Sequence, residues 1–393
     1  MYGPPVSDGP ERACLAIADV SGYTSYLGGV ELDHAQDILA DLIGTIVEAM
    51  APFQLSKLEG DAAFTYLPGV DVDGSMLQDT IEGTYVAFRS RLRNIQQASS
   101  CECNACVRIP SLDLKFVVHH GAIARQRMVG LEELVGSDVI LVHRLLKNEI
   151  KARLGVGAYV LYTQAVLDAA GIDPQQQSLS EHHEETDVAG DMTGWVRDLE
   201  AHWQAELARP RRVIPSESLL GEFSWEVPTP PSVTFEYLTS PRLRPEWDTT
   251  LTSFDEETSD GRRGIGTTNH CMHGENAIRE DIIDWRPPHY WMLRGYAVSI
   301  PGEPVMYLSD ELQAIDGGGT RVISRAGARE DETADPDLIR MVFEEFSRGY
   351  LAGIERLKVL LRDLADDDSG QATTKAPQSS SRYLSDPVTG GTS

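Results

Sequence analysis

The hydrophobic pattern of the first half of the chain alternates between buried strands and amphipathic helices. Residues 13–18 form a continuous apolar run of the length of a buried strand, and this run leads directly to Asp19. From Asp33 to Met50 the apolar residues recur at helical spacing, which predicts a helix packed on a sheet. The remaining pattern predicts strands at 53–56 and 62–67, a helix at 77–97, paired strands at 112–119 and 121–128, a helix at 138–154, and strands at 159–162 and around Trp195.

Strand-like segments dominate the second half. Clusters of Gly and Pro separate apolar runs, and a long amphipathic helix is predicted from Pro336 to about Leu364. An antiparallel sheet wrapped on a C-terminal helix is an α+β arrangement that can enclose a cavity. The predicted strands cover 219–227, 265–271, 278–285, 290–298, 305–314 and 320–328, and a short helix at 232–238 precedes most of them.

The length of the chain favours two domains. A chain of 393 residues is too long for one ordinary hydrophobic core. The composition changes at the Arg-Pro-Arg-Arg run that begins at Arg209, and the last residues are rich in Ser, Thr, Gly, Pro and Asp. We therefore predict a flexible leader at 1–11, a first domain at 12–208, a linker at 209–213, a second domain at 214–365 and a disordered tail at 366–393.

The charge of the chain excludes some classes of partner. With 34 basic and 61 acidic residues the formal net charge is −27, which repels nucleic acids and anionic membranes. We find no apolar segment of the roughly 20 residues that span a bilayer, and no signal-peptide pattern at the N-terminus. The sequence therefore predicts a cytoplasmic protein without a nucleic-acid partner and without a membrane span.

Two aspartates are the strongest candidates for chemistry. Asp19 and Asp61 each lie beside a short apolar run and close to a glycine. Such a composition is common in ordinary turns, but two strand-end carboxylates can also be brought together around one or two divalent cations. In that case the first half is suited to hold a nucleotide through its phosphates.

A thiol-rich loop is a second candidate. Cys101, Cys103 and Cys106 have C-x-C-x-x-C spacing, which lets neighbouring thiolates face one tetrahedral zinc ion. Zinc usually takes four ligands, so His119, His120 or a residue of a partner subunit would have to supply the fourth. The alternative is a surface loop of free thiols.

The first half resembles the class III nucleotidyl cyclases. The run Ala-Asp-Val-Ser-Gly-Tyr-Thr at 18–24 is similar to their first metal motif, and Lys-Leu-Glu-Gly-Asp at 57–61 is similar to the second. The run Gly-Ser-Asp-Val-Ile-Leu-Val-His-Arg at 136–144 resembles the helix that carries an asparagine and an arginine for the transition state. The resemblance covers roughly residues 12–170 and implies a ferredoxin-like cyclase-homology domain. The run at 138–147 resembles an uncharacterised bacterial subfamily in which this domain can be joined to a START-like domain.

The resemblance implies an adenylyl cyclase site. Asp19 and Asp61 would bind Mg²⁺ or Mn²⁺, and Lys57, at the position of the adenine-reading lysine, favours ATP. Arg144 would stabilise charge on the phosphates during transfer, and Glu133 stands where a second base-selecting acid is expected. The amides of Ser21, Gly22, Tyr23 and Thr24 would cradle the phosphates.

Family sites form between two chains, so a homodimer is implied in which one chain supplies the aspartates and the other supplies Lys57 and Arg144. One departure leaves two functions open. Ile140 replaces the asparagine that orients the ribose, and its side chain cannot form a hydrogen bond. The chain is therefore either a divergent cyclase that converts ATP to cyclic AMP, or a catalytically degenerate sensor that binds a nucleotide or a lipid-like molecule.

The second half resembles the START-like (SRPBCC, helix-grip) superfamily. The resemblance rests on 230–238 leading to 244–248, on 264–267, on 284–288 and on the long last helix. It implies an antiparallel sheet around a C-terminal helix, with a small apolar ligand held between them. The candidate lining residues, which could equally be ordinary core aromatics and their neighbours, are Trp247, His270, His273, Trp291, Met292 and Tyr307.

Overall fold

The computed structural model describes residues 9–30, 32–98, 104–128, 131–329 and 335–373. Its elements form two β-sheets with helices packed on them, which confirms the α+β class. Within these residues, none of the helices combines the length and the apolar character needed to cross a membrane.

The first sheet has eight strands. Seven of them follow the order β2-β3-β1-β4-β6-β8-β7, and β5 pairs only with the outer part of β4. The β4–β6 pair is parallel and the other pairs are antiparallel. The strands are β1 (Glu11–Ser21), β2 (Gln54–Glu59), β3 (Ala62–Pro68), β4 (Asp113–Met128), β5 (Leu131–Val135), β6 (Tyr159–Thr163), β7 (Ser180–Thr186) and β8 (Gly190–Asp198).

Helices cover both faces of this sheet because its central strand is apolar on both sides. Alternate residues of β1 enter two different cores, with Cys14 and Ala16 on one face and Leu15 and Ile17 on the other. Helices α2 and α3 pack on the first face, and α5 packs on the second. The helices are α1 (Tyr23–Leu27), α2 (Leu32–Ala49), α3 (Gly74–Ala98), α4 (Asn104–Arg108), α5 (Ser137–Leu145), α6 (Ile150–Leu154), α7 (Gln164–Ala170) and α8 (Leu199–Ala208).

The second sheet has seven strands, all paired antiparallel, in the order β10-β11-β12-β13-β14-β15-β9. One face carries a core of tryptophans and aliphatic residues contributed by the sheet, α9 and α11. The elements are β9 (Leu219–Val227), α9 (Pro231–Thr239), α10 (Arg244–Trp247), β10 (Ser253–Glu257), β11 (Thr268–His273), β12 (Asn276–Arg286), β13 (Tyr290–Tyr296), β14 (Val305–Ala314), β15 (Thr320–Gly327) and α11 (Pro336–Thr373).

Buried polar contacts join the two halves. Arg262, in the β10–β11 loop, reaches α3, where its guanidinium contacts Asp79 at 2.5 Å and Glu82 at 2.6 Å. The indole nitrogen of Trp285 donates to Asp79 at 3.1 Å, and the backbone N–H of Arg263 donates to Ser75 at 2.9 Å. The segment predicted as a linker is also packed, since the Arg209 guanidinium donates to the carbonyl of Trp285 at 2.6 Å.

Several predicted boundaries are wrong. The strands predicted at 112–119 and 121–128 are one strand, β4, which runs unbroken along β1. Gly121 does not turn the chain; a Cβ there would collide with the side chain of Asp138. The helix predicted at 138–154 is two helices, because the side chain of Asn148 donates to the carbonyl of Leu145 at 2.7 Å and accepts from the N–H of Ile150 at 3.1 Å.

The chain ends differ from the prediction as well. Strand β1 already begins at Glu11, inside the predicted leader. Helix α11 continues to Thr373, eight residues into the predicted tail, because no proline interrupts the helical sequence before Pro377. Residues 1–8 and 374–393 lie outside the described residues.

Candidate metal and nucleotide site

The two predicted aspartates meet at one end of the central strand. Asp19 lies on β1, directly between Ala62 of β3 and Lys115 of β4. Asp61 occupies the β2–β3 turn, and its carbonyl accepts the N–H of Val20 at 3.1 Å. The backbone therefore places the two aspartates next to each other at this end of the sheet.

The electrostatics of Asp61 reflect this closeness. Partial burial raises the pKa of Asp61, and repulsion from Asp19 raises it further. Its backbone hydrogen bond and the ammonium of Lys115 act in the opposite direction. Two carboxylates that repel each other in this way gain from any cation placed between them.

Lys115 supplies a positive charge that the sequence analysis missed. Its Nζ lies 3.1 Å from Oδ2 of Asp19 and donates to the carbonyl of Leu146 at 3.2 Å. The available signal was a lysine inside the otherwise apolar strand 114–118. Side chains alternate between the two faces along β4, and Lys115 lies on the same face of the sheet as Asp19.

The donor set fits a magnesium or manganese ion in chemical type. Among the described residues no group of three or more His, Cys, Asp or Glu side chains is arranged to hold a metal. Mg²⁺ does not need such a group, because it is commonly bound through one or two carboxylates together with water and substrate phosphates. Asp19 and Asp61 could provide the carboxylates, in competition with Lys115 for Asp19.

The loop after β1 depends on glycine. Gly22 has a φ of +87°, and a Cβ at this position would lie 2.8 Å from the carbonyl oxygen of Ser111. Helix α1 starts at Tyr23, and its first hydrogen bond runs from the N–H of Tyr26 to the carbonyl of Gly22 at 2.9 Å. The N–H groups of Tyr23 and Thr24 therefore begin a helical turn next to the aspartates.

Lys57 and Glu59 form an ion pair on β2. The Nζ of Lys57 lies 2.8 Å from one carboxylate oxygen of Glu59, and Nε2 of His143 on α5 lies 2.9 Å from the other. The imidazole of His143 also packs edge-on against Phe64, with ring centroids 4.9 Å apart. Glu59 and His143, which the sequence does not mark as site residues, tie β2 to α5, and Glu59 gives Lys57 a partner within its own chain.

Arg144 and Ile140 lie one turn apart on α5, and both face outward. The side chain of Arg144 is 52% exposed and its guanidinium lies 3.5 Å from Asp187, while Ile140 is 53% exposed. The structure therefore does not join Arg144 to Asp19 and Asp61 within one chain. Glu133 is half-buried on β5, opposite Gln126.

Only some of the candidate zinc ligands lie within the described residues. Cys101 and Cys103 lie outside the described residues, and Cys106 is half-buried on α4. Nδ1 of His119 lies 2.9 Å from the hydroxyl of Thr163, and burial lowers its pKa. His120 contacts Arg12 at 2.9 Å and the carbonyl of Gly69 at 3.1 Å. Both histidines thus have partners other than a metal.

The predicted pocket residues of the second half do not share one cavity. Trp247 and Trp291 line a hollow of about 40 Å³ between the sheet and α11. Met292 and Tyr307 line a separate cleft together with the segment 212–218. His270 is exposed, and Nδ1 of His273 lies 2.8 Å from the hydroxyl of Thr250.

Comparisons with known proteins give partial matches. A family model described as a protein of unknown function (DUF2652) matches residues 39–153. The uncharacterized protein Rv2561/Rv2562 of Mycobacterium tuberculosis (strain ATCC 25618 / H37Rv) is 38% identical over 128 residues, which make up 33% of this chain. The match covers 58% of that relative's length.

Similar solved structures include two cyclases. The guanylyl cyclase Cya2 is 13% identical with a TM-score of 0.38, and the match covers 49% of this chain and 93% of that chain. The adenylyl cyclase CyaB from P. aeruginosa is 12% identical with a TM-score of 0.36, covering 49% and 96%. Protein MLL2253 from Mesorhizobium loti is 18% identical with a TM-score of 0.29, covering 36% and 96%.

Proposed function

We propose that the first half is a divergent, ferredoxin-like nucleotidyl cyclase domain that binds ATP with Mg²⁺ or Mn²⁺ and converts it to cyclic AMP as a homodimer. The observation that carries this proposal is the meeting of Asp19 and Asp61 at the end of β1. The strand order β2-β3-β1-β4, with helices in the two crossovers, supports it.

The reaction joins the 3′-oxygen of ATP to its own α-phosphorus, breaks the bond from that phosphorus to the oxygen that bridges to the β-phosphate, and releases pyrophosphate and the hydroxyl proton to water. A divalent cation held at the site would lower the pKa of the hydroxyl and neutralise charge on the phosphates. Asp19 and Asp61 would hold that cation, and Lys115 keeps a positive charge beside Asp19. The N–H groups of the turn that starts at Tyr23 would face the phosphate oxygens.

A second copy of the chain would complete the site. Arg144 stands outward from α5, where it could reach the phosphates bound by a partner. Lys57 would have to exchange Glu59 for the adenine base. The exposed side chain of Ile140, on the same side of α5 as Arg144, is consistent with a helix face that a partner covers.

The decisive experiment measures cyclic product formed from ATP and Mn²⁺ by mass spectrometry. We expect product from the wild type, and a loss on the order of 100-fold in Asp19→Asn and Asp61→Asn. Asp255→Asn is the matched control, because this aspartate is exposed on β10 of the other sheet. Absence of product from a preparation shown to be dimeric would refute the proposed reaction.

A second candidate function is a nucleotide sensor without turnover. Two observations favour it: Ile140 stands at the asparagine position, and the Lys115 ammonium already pairs with Asp19. This alternative would be supported if titration calorimetry shows ATP binding while mass spectrometry detects no cyclic product. Ile140→Asn separates the two functions further, since a weak cyclase should gain about ten-fold or more in rate, whereas a sensor should gain none.

We propose that the second half is a START-like, helix-grip ligand-binding domain at 214–365. The antiparallel sheet with α11 packed on one face supports this proposal. The interior is nevertheless almost filled, because 40 Å³ holds only about three water molecules, whereas small-molecule pockets measure roughly 300–1,000 Å³. Trp247, Trp291 and Tyr350 occupy the space between sheet and helix.

A further inference from the structure

We propose that the seam between the two halves, rather than the interior of the second half, binds a small apolar molecule with a hydrogen-bond-donating head group, of the alkyl alcohol or alkyl amine class. The site does not require cyclase activity, because none of its residues belongs to the candidate nucleotide site.

A cavity of about 450 Å³ lies in this seam. The first half contributes the end of α2 and the first turns of α3, and the second half contributes α9, the β12–β13 turn and the β14–β15 turn. A neighbouring hollow of about 670 Å³ shares Met76, Pro230 and Glu236 with it. The first volume alone lies within the usual range for small-molecule sites, and the second allows a longer chain to extend.

The walls are apolar and held in place. Pro230, Pro231, Pro287 and Pro288 all line the cavity, and prolines have no N–H to leave unsatisfied and little freedom to collapse inward. Phe235 supplies an aromatic surface on the same side. The buried ion pairs between the halves border the cavity through Asp79, so the two walls are fixed relative to each other.

The few charged groups in the cavity are acids. Glu236, Asp79 and Glu48 line it, and the side chain of Glu236 is only 16% exposed. Burial raises the pKa of Glu236 to about 7, although the guanidinium of Arg263, 3.5 Å away, opposes this. Asp79 already pairs with Arg262, so Glu236 and Glu48 are the acids that would repel a carboxylate ligand, whereas a hydroxyl or an ammonium can donate to their oxygens.

The test compares decylamine, decanol and decanoate binding to the full chain by titration calorimetry without nucleotide. We expect saturable binding of the amine and the alcohol, with decanoate at least ten-fold weaker. Equal binding of decanoate would overturn the head-group assignment, and the absence of saturable binding for all three probes would overturn the site.

Substitutions that fill the cavity test whether decylamine binds there. Ala87→Phe fills the cavity from α3, and Ala314→Trp fills it from the end of β14 if the first variant folds poorly. Each should weaken decylamine binding at least ten-fold, whereas Ala205→Phe on the exposed side of α8 should leave it unchanged. Glu236→Gln should weaken the binding of decylamine more than that of decanol, because it removes a carboxylate that can pair with the ammonium. Undiminished binding in both filling variants would show that the molecule binds elsewhere.

Discussion

Arg262 links the second half of the chain to α3 of the first half through buried ion pairs. Its guanidinium spans Asp79 at 2.5 Å and Glu82 at 3.0 and 2.6 Å. The side chain of Arg262 is 14% exposed and that of Glu82 is 3% exposed. Replacing Arg262 by methionine keeps most of the apolar volume but leaves two buried carboxylates without their main partner.

Removing one partner of a buried ion pair costs about 3–5 kcal/mol, and here Arg197, 3.2 Å from Glu82, retains part of the compensation. Burial raises the pKa of both carboxylates, but Arg262, His202 and Arg197 together lower the pKa of Glu82 to about 2, whereas the pKa of Asp79 stays raised despite Arg262. Arg262 therefore stabilises mainly the charged form of Glu82. We therefore expect Arg262→Met to lose about 3 kcal/mol of unfolding free energy at pH 7.

Urea unfolding followed by circular dichroism and tryptophan fluorescence measures this loss. Arg348→Met is the control, because Arg348 pairs with Glu345 on the surface at 3.1 Å, and we expect a change below about 0.5 kcal/mol. The contribution of Glu82 is present above about pH 4.5 and is lost as the pH falls towards 2, since the folded-state pKa is lowered. The variant should therefore show a smaller loss of stability on acidification. A change under about 1 kcal/mol in the variant would refute the view that this ion pair holds the halves together.

Three further predictions concern single residues. Lys115→Met should tighten Mn²⁺ binding about five-fold, measured by electron paramagnetic resonance, because the ammonium no longer competes for Asp19; unchanged affinity would contradict the competition. Gly22→Ala should lose about 1–3 kcal/mol in thermal unfolding because of its positive φ, whereas Gly44→Ala, inside α2 with open space around its Cβ, should not destabilise the protein. Glu236→Gln should gain stability relative to the wild type as the pH rises from 4.5 through about 7. The raised pKa makes the wild type lose stability over that range, and a constant difference between the two proteins would exclude the effect.

The sequence predicts the elements of this fold well where periodicity is uninterrupted. The runs that become β1, β3, α2, α3 and the long α11 have clear apolar patterns, and the structure places elements there. Strands β7 and β8 were largely missed, because Ser180–Thr186 consists of polar and charged residues whose strand conformation comes from pairing rather than from apolar alternation.

The candidate site shows the same division. Asp19 and Asp61 could be singled out from the sequence, because a carboxylate beside an apolar run and a glycine is a local property. The ion pair between Asp19 and Lys115 could not be predicted, because it depends on the register of β4 against β1. A shift of one residue would place Lys115 on the other face of the sheet. The contacts between the two halves could not be predicted either. Arg262 and Glu82 are 180 residues apart, and in the sequence both resemble ordinary surface charges.

The two proposed sites lie on opposite faces of the first sheet, which limits how one could affect the other. Asp19 is on the face of Leu15 and Ile17, whereas α2 and α3, which line the seam cavity, pack on the face of Cys14 and Ala16. Within one chain, a signal would therefore cross β1 or follow the chain back from α2 through α1 to Gly22. If it does, linkage requires that ATP with Mn²⁺ change the affinity for decylamine by the same factor by which decylamine changes the affinity for ATP. Unequal factors in paired titrations would mean that the two molecules do not report one coupled equilibrium.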